Sequence, residues 1–275
     1  MKTKEEILAI NQQQKEFYNH KKKNLATRLW SQLRGGLLSD IRKTTGVQKQ
    51  TYEKHKEWLG DLSKKKVLDL GCFSGNHLSV WIAEHAKEYV AIDLSDVGIS
   101  KLQEKIKHCP NAKALAVDFL SDEQFPDTHF DVIYAYGVLH HFQNVSLLIE
   151  RIKEKLTPEG TIISYDPLET SLPLKIMRSL YRPFQSDKDW EWPFTQKTYK
   201  QFASNFTILE KRAVLGKLKW FFLVNLLPLS QSKKTEIGKK WHTLDWEQSN
   251  TSDTYLYQCM HLTLFMKNKC VNSKF

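Results

Sequence analysis

The chain has 275 residues, 41% hydrophobic and 26% charged, enough for a sizeable core and a composition that argues against disorder as the default. Its net charge of +10 is uneven: Lys/Arg outnumber Asp/Glu 16 to 7 over residues 1–66 and 17 to 10 over 166–275, whereas acids lead 14 to 8 over 67–165. Cys72, Cys109, Cys259 and Cys270 lack CxxC or Cys/His ligand spacing, which excludes a disulfide framework and a zinc site, so no metal is expected. The longest apolar run, Trp220 to Leu229, is about half of the ~20 residues a membrane span needs. The polar opening Met1 to Glu6 does not read as a signal peptide, and a cytoplasmic protein is expected. The basic flanks read as solvated lysine faces, with an anionic substrate, RNA or an anionic membrane surface as the sharper alternatives.

Residues 1–62 read as an N-terminal helical cap. Ile7, Leu8, Phe17, Tyr18, Leu25, Leu29, Trp30 and Leu33 recur at helical spacing, Gly35-Gly36 breaks the run, and a further amphipathic helix starts at Tyr52. Strands are then predicted at Val67–Leu70, Tyr89–Leu94, Ala112–Asp118, Asp131–Tyr136 and Thr161–Tyr165, with helices over Asn76–His85, Val97–Lys107 and Ser146–Leu156 between them. Regular alternation predicts a doubly wound α/β fold with a parallel sheet covered on both faces. Insertions at about 168–194 and 217–250 interrupt it. Between them Thr195–Ser204 reads as a helix and Phe206–Leu215 as a sixth strand, and Tyr255–Met266 reads as a long last strand. One domain over 63–275, carrying two lids, is the expected organisation.

The stretch Val67 to Leu78 (VLDLGCFSGNHL) organises the rest. A strand that stops at Gly71 and Gly75 and re-enters as a helix opens a doubly wound unit, whose ligand crevice lies at the carboxyl ends of the strands. Glycine permits a sharp turn and close approach of a ligand, and the helix start offers unpaired N–H groups. The spacing Asp69-x-Gly71-x-x-x-Gly75 departs from the dinucleotide fingerprint G-x-G-x-x-G, with Phe73 where a middle glycine would stand. A carboxylate two residues before the turn also suits a cationic ligand better than a pyrophosphate. The segment resembles motif I (D-x-G-x-G-x-G) of the class I S-adenosylmethionine-dependent methyltransferases, whose ligand carries a sulfonium and an ammonium. The resemblance covers about Leu59 to Leu215 and the last strand. It implies S-adenosyl-L-methionine as cofactor and a Rossmann-like, mostly parallel seven-stranded sheet with an antiparallel last strand.

Asp69, Asp93, Asp118 and Asp166 each close a predicted strand, where acids are disfavoured by strand propensity, so four together point to the crevice. By the resemblance, Gly71 and Gly75 lie against the methionine part of the cofactor with Asp69 nearby. Asp93, followed by Leu94, accepts the ribose hydroxyls. Asp118 and Phe119 hold the adenine, and Ala135 and Tyr136 border the transferred methyl group.

His140-His141, after the fourth strand, resembles a segment found both in small-molecule methyltransferases and in tRNA wobble-uridine enzymes. An imidazole there can take a proton from an acceptor hydroxyl, or it simply packs under the next helix. Asp166 joins the two histidines as a catalytic candidate. The acceptor is expected between strands four and five, lined by Tyr136, His140, His141, Asp166, Arg182, Trp190 and Trp192, with aromatic contact area and an Arg for an anionic group. The function implied is methyl transfer to a small molecule: a specialised metabolite, quinone-like compound or other aromatic or apolar acceptor. A tRNA or RNA methyltransferase and a non-catalytic partner-binding protein on the same fold are the alternatives. Trp220–Leu229 reads as core or an apolar lid, with weak peripheral membrane contact as its rival reading.

Overall fold

Seven strands form one sheet, and their burial explains their composition. The computed structural model describes residues 4–20, 38–120, 128–185 and 189–269, with isolated positions between 28 and 36. Cys270, Lys21–Lys23, Leu25, Leu29, Trp30, Leu33 and Gly35 lie outside the described residues, as do the side chains of Ile7 and Leu8. Strands β1 (Lys66–Leu70), β2 (Glu88–Asp93) and β4 (Phe130–Tyr136) are buried along almost their whole length. That is why they read as near-continuous apolar runs. With β3 (Ala112–Ala116), β5 (Leu156–Pro167), β6 (Phe206–Val214) and β7 (His261–Asn268) they take the order β3-β2-β1-β4-β5-β7-β6. Only β7 runs against its neighbours, pairing antiparallel with β5 and β6. The order reverses direction between β1 and β4, so two adjacent strands send their connections to opposite faces and a crevice opens at their carboxyl ends.

Alternation along the strands divides the core. On one face Val67, Tyr89, Ala91, Val132 and Tyr134 pack under Leu78 and Ile82 of α4 (His77–His85) and Ile99, Leu102 and Ile106 of α5 (Asp96–Ile106). On the other, Leu68, Leu70, Val90, Ile92 and Ile133 meet Leu148, Ile149 and Ile152 of α6 (Val145–Lys155) and Phe202 of α8 (Gln196–Asn205). Helix α4 starts on a capping box: Asn76 Oδ1 accepts from the Leu78 and Ser79 N–H groups at 2.8 and 3.1 Å, and Ser79 Oγ accepts from the Asn76 N–H at 3.1 Å. Before the sheet come α1 (Lys4–His20), α2 (Ser39–Thr45) and α3 (Val47–Leu59). Helix α3 packs on the sheet through Trp58 and Leu59, while α2 and residues 214–224 form a separate cluster around Trp246.

Several boundaries differ from expectation. The last strand starts at His261, because Tyr255 belongs to a one-turn helix, α11 (Asp253–Leu256), whose N-cap Ser252 accepts from the Tyr255 N–H. Alternating Tyr255, Tyr257 and Cys259 mimicked a strand although these residues pack as a turn. Strand β3 ends at Ala116, so Asp118 lies in the following loop, and β5 is longer at both ends than its apolar run. The insertions are largely helical: α7 (Leu172–Tyr181) in the first, α9 (Phe221–Asn225) and the 21-residue α10 (Gln231–Thr251) in the second. Among the described residues no helix is long and apolar enough to cross a membrane. Cys72, Cys109 and Cys259 are free and buried.

Candidate active site

The turn after β1 is built by its glycines for internal reasons first. Gly71 (φ +68°) and Gly75 (φ +73°) are left-handed, and a Cβ on Gly71 would stand 2.1 Å from Val138 Cγ2. The close approach that fixes glycine there is therefore to the chain's own β4 connection. Phe73 adopts φ +46°, the conformation a middle glycine would take freely. Its N–H donates to Asp93 Oδ2 at 2.9 Å, and its ring lies against Gly98, where a Cβ would stand 2.6 Å from Phe73 Cδ2. The turn thus keeps its shape with an aromatic residue because α5 has a glycine opposite it.

A cavity of about 510 Å³ opens at this turn, lined by Asp69, Gly71, Gly75, Asp93, Leu94, Asp118, Phe119, Tyr136 and His141 among others. That size is ordinary for a small-molecule site. The three carboxylates differ in their environment. Asp69 is fully buried; desolvation raises it to about 6, opposed by the hydrogen bond that Tyr89 OH donates to its Oδ2 at 2.7 Å. Asp93 is raised by desolvation too, against backbone N–H donors; Oδ1 accepts from Ser95 N–H at 2.8 Å and Oδ2 from Phe73 N–H. Each oxygen keeps a lone pair for a further donor. Asp118 accepts from the Leu120 N–H at 2.9 Å and from Asn11 Nδ2 at 2.7 Å. Gly137, also at the cavity wall, has φ +74° and open space where a Cβ would project.

Helix α1 closes one side of this cavity, a placement no local pattern foretold. Asn11, Gln14, Phe17 and Tyr18 line the cavity, Ser95 Oγ donates to Asn19 Oδ1 at 2.7 Å, and Lys15 pairs with Asp96 at 2.8 Å. The helical spacing of Phe17 and Tyr18 signalled an amphipathic face, but not which surface that face covers. Val138 and Phe142 are further cavity residues that sequence reasoning missed; both stand beside the histidine pair, the only available signal.

The histidine turn, Leu139–His141, separates the pair's roles. His141 Nδ1 lies 2.6 Å from Trp190 O, which can only accept, so Nδ1 carries a proton and Nε2 is the acceptor nitrogen of the neutral ring. Nε2 lies 3.3 Å from Tyr18 OH, and His141 lines both the main cavity and an adjoining one of about 420 Å³. That second cavity shares Asn11, His141 and Phe142 with the first and adds Leu120, Val145, Trp192 and Lys197. His140 lines neither. Its Nδ1 is 2.9 Å from Asp166 Oδ1, which also accepts the His140 backbone N–H at 3.1 Å. Asp166 is 1% exposed, outside both cavities; desolvation raises it to about 7, opposed by backbone donors and by His141.

The expected acceptor set is therefore divided. Tyr136 pairs in register with Tyr165 and stacks on it at 4.7 Å, which sends Asp166 to the opposite face of the sheet. Trp192 lines the second cavity and its N–H donates to His140 O at 2.7 Å. Trp190 is buried, touching the site through its carbonyl and through Phe17, 5.3 Å away between ring centroids. Arg182 lines neither cavity; it follows the C-terminal end of α7. Ala135 is fully buried in the core below the crevice and lines neither cavity.

A family described as Methyltransferase domain matches residues 46–209, more than half of the chain. An uncharacterised protein of Haemophilus influenzae is 31% identical over 111 residues, 38% of this chain and 43% of that protein. A tRNA U34 carboxymethyltransferase of Colwellia psychrerythraea is 33% identical over 108 residues, 39% of this chain and 33% of that protein. The matched part thus spans less than half of these curated relatives. The structure of magnesium protoporphyrin IX methyltransferase from Synechocystis, with S-adenosyl-L-homocysteine bound, aligns over 94% of this chain and 99% of that one, with a TM-score of 0.57 and 15% identity. The chain belongs to the methyltransferase-domain family and has the fold of the class I S-adenosylmethionine-dependent methyltransferases.

Proposed function

We propose that the chain transfers a methyl group from S-adenosylmethionine to a small-molecule acceptor held in the cavity that adjoins the cofactor's. The observation that carries the reading is that one imidazole, His141, lines both cavities with its tautomer fixed by the Trp190 carbonyl. The residues present suit the cofactor: carboxylates for an ammonium and a ribose diol, an apolar wall at Phe119 for a base, and open space above Gly137. In this reading Asp69 offsets the ligand's positive charge, Asp93 accepts the ribose hydroxyls, and Asp118 receives the adenine amino group in place of Asn11. When bound, the cofactor supplies an activated methyl for in-line displacement. The protein's work is then alignment and exclusion of water, for which α1 is the cover. His141 Nε2 accepts the acceptor's proton, while His140 and Asp166 hold the turn that presents it.

The closing experiment is His141→Ala and His140→Ala compared with a labelled cofactor and a metabolite pool. His141→Ala should cost roughly 10²–10⁴-fold in kcat/KM with cofactor affinity retained, and the rise of rate with pH should vanish. Equal losses in both variants would remove the base role.

A second reading, an RNA acceptor, is favoured by the tRNA-modifying relatives. Its mark would be tight tRNA binding that falls steeply with salt, since phosphate contacts release counterions. The small-molecule reading expects only weak, unselective retention at physiological salt.

A further inference from the structure

Helix α7 leaves most of its residues in solvent, polar and apolar side chains alike. Of its ten residues only Leu174 is buried, while Leu172, Ile176 and Leu180, one turn apart, are 69, 52 and 71% exposed. The second insertion repeats the pattern at Trp220, Leu223, Leu226 and Leu227, with Leu226 79% exposed. A free surface would place polar groups at these positions.

The two apolar patches share one anchorage. Thr170 Oγ1 donates to Tyr257 O at 2.6 Å, Leu168 N–H to Met260 O at 2.7 Å, and Lys219 Nζ to Gln258 O at 2.6 Å. Both insertions are therefore tied to the 257–260 turn, beside the carboxyl ends of β5 and β6. Their charge is one-sided: residues 172–185 and 217–240 hold nine Lys/Arg and a single acid, Glu236. Arg178 is matched by Glu169, but Lys219 and Lys234 contact backbone carbonyls and Lys217 an indole face, none of which cancels charge.

We propose that these insertions form a docking face for an anionic lipid bilayer. Leucines enter the headgroup boundary and the lysines meet the lipid charge, as in interfacial helices. A phosphate backbone would use the lysines and leave the leucines in water, so a lipid surface accounts for more of the face. This inference does not depend on which acceptor is methylated.

The test is co-sedimentation of the whole chain with vesicles of phosphatidylcholine alone or with phosphatidylserine added, at physiological salt. Binding should need phosphatidylserine and weaken as salt rises. Ile176→Asp with Leu180→Asp, and separately Leu226→Asp with Leu227→Asp, should each lower partitioning about tenfold or more. Lys233→Ala with Lys234→Ala should lower it about fivefold per lysine, on the anionic vesicles only. Five of the six substituted side chains are exposed and Lys234 is half-buried, so an unchanged thermal midpoint shows that the fold is retained. Three results would overturn the proposal: no binding to the anionic vesicles, binding indifferent to the leucine variants, or leucine variants that abolish self-association or tRNA retention while vesicle binding persists.

Discussion

Carboxylates stand at or just beyond strand ends on both sides of the β1/β4 reversal, yet the two sides use them differently. On the β3-β2-β1 side Asp69, Asp93 and Asp118 stand on the cavity wall, braced by Tyr89, two backbone N–H groups and Asn11. On the β5-β7-β6 side Asp166 faces away from both cavities and fastens the histidine turn. A strand-end acid is thus no sign of a ligand by itself. The face it takes, set by register, decides whether it meets cavity or protein.

The sharpest way to break this comparison is at the glycines. Gly71→Ala should destabilise by roughly 2–5 kcal/mol, combining a left-handed backbone with an overpacked contact to Val138. Gly137→Ala, left-handed but facing open space, should cost only roughly 1–2 kcal/mol. Urea midpoints at equal slope measure both, and equal losses would mean that the turn is not locked against the β4 connection.

Cofactor affinity sharpens the contrast between acids. Asp93→Ala should weaken binding by roughly 2–4 kcal/mol, because it removes a charged acceptor and releases the Phe73 and Ser95 N–H groups together. Asp166→Asn should leave calorimetric cofactor affinity within about 0.5 kcal/mol, as befits a group outside the cavity.

Stability against pH reports the walled-off acid directly. Asp166 binds its proton more tightly folded, at about 7, than its ordinary 3.8, so its contribution is complete below about 3.8 and is lost as pH rises through 7. Asp166→Asn keeps an oxygen for the His140 N–H and cannot ionise. Its thermal midpoint should therefore fall less than the parent's between pH 4 and 7. An identical fall would assign the loss to Asp69, raised to about 6.

The smallest effect belongs to the cover. Asn11→Ala removes one charge-assisted hydrogen bond to Asp118 and should cost about 1–2 kcal/mol at most, read as faster hydrogen exchange in α1. Unaltered protection would mean that Lys15, Asn19 and the aromatic contacts of Phe17 and Tyr18 seat the helix without Asn11.

The strand pattern was legible because β1, β2 and β4 are buried on both faces, and the turn from Leu70 to Asn76 was legible because its glycines and cap are local chemistry. The Tyr255–Cys259 alternation misled for the opposite reason: period two arises by chance in a tight turn, and only packing against Asp245 and Thr170 shows where those residues lie. Arg182 and Trp190 misled because an insertion's composition does not tell which of its side chains reach a cavity wall.

What the sequence determined alone was the α/β alternation, the glycine turn and the acids that close its strands, since these depend on residues near each other in the chain. Tertiary structure decided that Asp166 turns from the cavity, that His141 rather than His140 lines both cavities, and that α1 lies over the main cavity. Each of those follows from contacts such as Tyr136 with Tyr165, Trp190 with His141 and Asn11 with Asp118, between segments whose meeting no local pattern encodes.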